Sequence, residues 1–72
     1  MTNIAALRER EVGKVLQFSD AKIACKLMAM GMLPGSIIKV MRKAPMGGGF
    51  YLKVNGHGIA LRVNEAASVI VE

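Results

Sequence analysis

Cys25, His57, Asp20, Glu65 and six methionines are the side chains of this sequence that could ligate a metal or act as nucleophiles. Their spacing argues against both. There is no Cys-x-x-Cys, no His-x-x-x-His and no Glu-x-x-His, the spacings that bring ligands to one side of a turn or helix. Cys25 has no histidine nearby in sequence to draw off its proton, and the single histidine lies in a separate glycine-rich turn. The five acidic residues offer no pair spaced for acid and base work. Gly47 to Gly49 lack the Gly-Lys-Ser/Thr that closes a phosphate loop and lead into a strand rather than a helix. No catalytic residue, metal ligand or cofactor is therefore assigned, and the chain reads as a non-enzymatic binding module.

Binding chemistry is better represented. Phe50 and Tyr51 beside Lys53, with Arg42 and Lys43 across a hairpin, would offer a stacking surface to RNA if both rings faced out. Phe50 shares strand parity with Leu52 and Val54, which assigns it to the core and leaves one tyrosine, a thin platform. Nucleic acid is not the favoured partner. Helical spacing at 100° per residue turns Cys25 and Met28 away from the stripe Ile23, Leu27 and Met30, and Ile37 and Met41 fall opposite Ile38 and Val40 on a strand. An exposed patch from Cys25, Met28, Ile37 and Met41 would suit a protein partner or a second copy of the chain.

The elements that must hold these residues follow from local signals. Residues 10–18 are rich in strand formers, with Gly13 as the expected site of a bulge. Ser19 and Asp20 are good N-caps for a helix that ends at Gly31, where glycine can take a left-handed conformation. Pro34-Gly35 fits a type II turn. A strand from Ser36 to Lys43 stops at Ala44-Pro45, and Met46 to Gly49 form a flexible connection. Phe50 to Val54 and Ile59 to Val63 alternate across an Asn55-Gly56 hairpin turn. Asn64 can cap a single helical turn over Glu65 to Ala67, and Ser68 to Val71 make a short closing strand.

Five short strands and one helix in 72 residues point to a small barrel, SH3-like or a compact OB-fold, filling the whole chain as one domain. Apolar residues are 53% of the chain and aromatics 4%, so aliphatic side chains and methionine must build the core. The formal net charge of +5 favours acidic partners of any kind. The charged N-terminus does not resemble a secretory signal, the lone cysteine rules out an internal disulfide, and the longest apolar run stops at Pro34; a cytoplasmic protein with no membrane insertion is expected.

Three stretches carry a family resemblance. Leu27-Met28-Ala29-Met30-Gly31-Met32-Leu33-Pro34-Gly35-Ser36 resembles Leu-x-x-Met-Gly-Leu/Met-x-Pro-Gly-Thr/Ser. Arg42-Lys43-Ala44-Pro45-Met46-Gly47 resembles Arg-Arg-Ala-Pro-Leu-Gly, and Gly58 to Arg62 with Glu65-Ala66 resembles Leu-Ala-Leu-Arg-x-x-Glu-Ala. In this order and spacing they are similar to the FeoA family of bacterial ferrous iron uptake. The resemblance implies an SH3-like β-barrel related to the C-terminal domain of metal-dependent repressors. It also implies contact with FeoB, the membrane transporter with a cytoplasmic GTP-binding domain, which would place the protein peripherally at the inner membrane. Three glycines stand where the family has Gly-Asp-Pro, and His57 where an aromatic residue is common. The expected partner interface is Cys25, Met28, Leu33, Pro34, Gly35, Met41, Ala44, Pro45, Met46 and Gly47, framed by turns at Gly31, Pro34, Gly35, Asn55 and Gly56. A basic RNA-binding barrel and a stand-alone metal-sensing domain are the alternatives.

Overall fold

The computed structural model describes residues 1–72. Six strands form one antiparallel sheet: β1 (Thr2–Asn3), β2 (Val12–Phe18), β3 (Ile37–Lys43), β4 (Phe50–Val54), β5 (His57–Leu61) and β6 (Val69–Val71), in the order β1-β6-β2-β3-β4-β5. Helix α1 (Ala21–Ala29) joins β2 to β3, and α2 (Val63–Ala67) joins β5 to β6. Strand β2 serves two neighbours: Val12 to Lys14 pair with β3, and Val15 to Phe18 pair with β6. Sharing one bent strand between two halves wraps the sheet around its own core. That core is aliphatic, with Ile4, Val15, Leu27, Met32, Ile38, Val40, Leu52, Val69 and Val71 fully buried.

The sheet has one strand more than the sequence suggests, because β1 pairs with β6 and the 3₁₀ turn after it drives Ile4 into the core. The expected bulge at Gly13 lies instead between Val15 and Gln17, where β2 changes its pairing with β6. Gly13 has a different reason to be glycine: a Cβ there would press on the Val71 side chain at 3.3 Å. Because Gly13 and Val15 face inward, Val12 is exposed, and Leu16 and Phe18 are only half-buried.

Asp20 caps α1, its carboxylate accepting from the Ile23 N–H at 3.0 Å. The helix ends in a Schellman arrangement: Met32 N–H donates to Leu27 O and Gly31 N–H to Met28 O, both at 3.0 Å, with Gly31 at φ +97°. This motif places Met32 against Leu27 in the core and leaves Met30 exposed, the reverse of the helical stripe expected for Met30. Gly35 at φ +92° and the Ser36 N–H to Leu33 O bond of 2.9 Å make the expected turn over Pro34-Gly35. Asn55 and Gly56, at φ +49° and +89°, turn the β4–β5 hairpin tightly enough that Val54 pairs with His57. Asn64 lies inside α2 and is not its cap; Arg62 is the N-cap residue, its N–H held at 2.8 Å by the Glu65 carboxylate.

Candidate interaction surfaces

Antiparallel alternation sends Ile38, Val40, Leu52 and Val54 inward and fixes what the outer face shows. The expected interface residues fall on two ends of β3, a strand of seven residues and thus about 20 Å long. At its start sit α1 and the Leu33 turn; at its end sits the Ala44 to Gly49 loop. One partner would have to span the strand to touch both.

The first surface is apolar and stiffly held. Cys25 and Met28 are exposed one helical turn apart, and Leu33 is 49% exposed beyond them. Leu33 stands next to the fully buried Met32. Its own N–H donates to Ser36 Oγ at 3.0 Å, Gly35 N–H donates to Val15 O at 2.7 Å, and Asn55 Nδ2 donates to the buried Ser36 Oγ at 3.4 Å. The turn is thereby tied to β2 and to the β4–β5 hairpin, so Leu33, Pro34 and Gly35 are presented in one conformation.

The second surface is the loop from Ala44 to Gly49. It is a closed turn rather than a flexible connection: Ala44 N–H donates to Gly49 O at 3.0 Å and Gly48 N–H to Pro45 O at 3.2 Å. At its tip Met46 is fully exposed with φ +59°, ψ +36°, a left-handed backbone that costs a residue with a Cβ. Gly49 is buried with φ +103°, and a Cβ there would strike the carbonyl oxygen of Leu61. Met41 does not share the face of Ile37. It is the extra residue where β3 slips against β4 between Val40 and Arg42, and it is half-buried.

The two adjacent aromatic residues of β4 divide as their parity predicts. Phe50 packs against the core, with the Lys43 ammonium 5.6 Å from its ring centre, while Tyr51 is exposed and paired with Arg42. No group of three or more His, Cys, Asp or Glu comes together that could hold a metal ion. No helix is long and apolar enough to cross a membrane.

A single aliphatic core wrapped by a six-stranded antiparallel sheet, with a short helix between its first two long strands, defines a small SH3-type barrel domain. Residues 2–72 match the FeoA domain, and the chain belongs to the FeoA family, which is associated with ferrous iron transport. It is similar to a FeoA-like protein of Clostridium acetobutylicum, with 30% identity and a TM-score of 0.90 over 99% of this chain and 84% of that one. It also resembles FeoA of Stenotrophomonas maltophilia, solved with zinc, at 26% identity and a TM-score of 0.84 over 100% of this chain and 91% of that one. That protein is described as a procaryotic SH3 domain protein suggested to act as a ferrous iron transport activating factor. A manganese-dependent transcriptional repressor shares the fold, with a TM-score of 0.90 at 19% identity, over 99% of this chain and 40% of the repressor.

Proposed function

We propose that this protein is a non-enzymatic accessory factor of Fe(II) uptake that works by docking on the cytoplasmic part of a FeoB-type transporter. The observation that carries the reading is the stiffly held apolar end of the barrel, where Met28, Met30 and Leu33 are exposed at 39%, 43% and 49%. Such side chains are costly to leave in water, and the hydrogen-bonded helix end at Gly31 and turn at Leu33 to Ser36 leave the backbone that carries them little entropy to lose on binding. Membership of the FeoA family supplies the transport context. In this reading the protein is cytoplasmic and reaches the inner membrane only through its partner, and Met46 adds a second contact from the far end of β3.

Co-purification with detergent-solubilised FeoB, with and without guanine nucleotide, tests the reading. Met28→Ala and Leu33→Glu are expected to reduce the co-purified fraction at least fivefold while leaving the thermal unfolding curve of the isolated barrel in place. Full co-purification and full Fe(II) uptake with both variants would overturn this surface.

A further inference from the structure

The outer face of the sheet carries a second feature. Its residues lie in rows across the strands: Lys14, Ile37 and Asn55; then Val12, Lys39, Lys53 and Gly58; then Arg42, Tyr51 and Ala60. Lys39 and Lys53 are directly opposite each other on β3 and β4. Two like charges in that position destabilise a sheet. Neither lysine has a salt-bridge partner; the one ion pair of the protein joins Lys26 to Glu65 elsewhere. The only carboxylate paired into these rows is Glu72, opposite Lys14 on the far side from Lys53.

Beside the lysines, toward the start of β3, lies an open apolar slot of about 260 Å³, lined by Val12, Ile37, Ile38, the stems of Lys39 and Lys53, and the Asn55-Gly56 turn. Val12 and Ile37 are exposed there at 56% and 49%. The volume falls below the roughly 300–1,000 Å³ of small-molecule sites and suits one inserted side chain. No aromatic ring lines it, so it offers no base a stacking partner. Two exposed aliphatic side chains, Val12 and Ile37, are few to hold a barrel face in a bilayer surface.

We propose that this face binds an extended acidic segment of another protein, seating one large aliphatic side chain in the Val12–Ile37 slot and flanking carboxylates on Lys39 and Lys53. The carboxylates relieve the repulsion between the two ammonium groups, and Asn55 and Gly56 close the end of the slot. The site lies on the sheet face and does not depend on the docking surface proposed for the Leu33 end.

The test is an NMR titration of the 15N-labelled protein with the synthetic peptide acetyl-Glu-Asp-Leu-Asp-Glu-amide. Amide shifts are expected to concentrate at Val12, Ile37, Lys39, Lys53 and Asn55. Replacing the peptide leucine by serine should weaken binding at least fivefold, and Lys39→Glu or Lys53→Glu should weaken it at least tenfold. Ile37→Ser, which keeps every charge, should act like the serine peptide. Equal binding of the serine peptide would show a general cation surface and overturn the slot. Shifts spread over all lysines, no binding, or tighter binding at these residues by phosphatidylglycerol vesicles or by oligouridine would each overturn the proposal as well.

Discussion

Lys26 Nζ lies 2.6 Å from Glu65 Oε2 and so ties α1 to α2, two elements separated by most of the barrel in sequence. The partners are unequal, the Lys26 side chain being 56% exposed and that of Glu65 8%. Glu65 also accepts the Arg62 N–H at 2.8 Å, so the one carboxylate both locks the helices and caps α2.

The first prediction follows from that double role. The Lys26 hydrogen bond, then that of the Arg62 N–H, hold the Glu65 carboxyl below its ordinary value of 4.5, against burial, which pushes it up. A depressed native pKa means that the ionised group contributes stability in full above the ordinary carboxylate range and loses it as pH falls through the lower native value. Glu65→Gln should flatten the acid side of a Tm against pH curve below about pH 4.5. Glu65→Ala should cost about 1–2 kcal/mol at neutral pH through the lost cap. Lys26→Ala should cost under about 1 kcal/mol, because water already reaches the ammonium. Equal losses from the two alanine variants would show that the ion pair, and not the cap, is the larger contribution.

A second prediction concerns Lys53. Facing Lys39 directly, it is worth more to the isolated fold as an acid than as a base. Lys53→Glu should raise unfolding free energy by about 0.2–1 kcal/mol in low salt, and the gain should shrink as salt screens the new pair. Urea denaturation at two ionic strengths measures both effects. A loss of stability would mean that the lysine stems packed along the slot matter more than their charges.

What could be read from the sequence was local punctuation. Gly31, Pro34-Gly35 and Asn55-Gly56 each dictate a backbone turn by their own chemistry, and all three turns form. What could not be read depended on distant neighbours. Strand β1 is two residues long and exists only because β6 lies beside it. Helical periodicity carried past the cap assigns Met30 to the core, but the Schellman turn at Gly31 redirects the chain and buries Met32. The bulge that turns Met41 aside is set by its pairing with β4, which no spacing within β3 records. Exposure of Cys25, Met28 and Leu33 was legible, and so was the separation of the Leu33 turn from the Ala44 to Gly49 loop, since the whole of β3 lies between them in sequence.

A third prediction separates two glycines of the same loop. Both Gly47 and Gly49 have positive φ, at +73° and +103°, but a Cβ on Gly47 would meet open space and one on Gly49 would meet Leu61 O. Gly47→Ala should therefore cost only the conformational penalty, about 1–2 kcal/mol. Gly49→Ala adds a backbone collision in a buried position and should exceed that by a further ~1 kcal/mol or more, since β5 would have to shift. Chemical denaturation of the two variants checks the order, and equal losses would show that the loop can yield at Leu61.

Met46 gives the last prediction, because its backbone and its side chain pull in opposite directions. The left-handed conformation at φ +59° costs a methionine about 1–2 kcal/mol, while its fully exposed side chain makes no compensating contact within the barrel. Met46→Gly relieves the strain but loosens the unfolded chain, an opposing effect of about 0.4–1 kcal/mol. The net change in stability should thus be neutral to favourable by up to about 1.6 kcal/mol. If the loop tip is a contact for the transporter, the same variant should reduce FeoB co-purification at least threefold with the barrel intact. Unchanged co-purification would remove the loop from the interface and leave the Leu33 end to bind alone, whereas a clear loss of stability would show that the methionine side chain packs on the fold in solution.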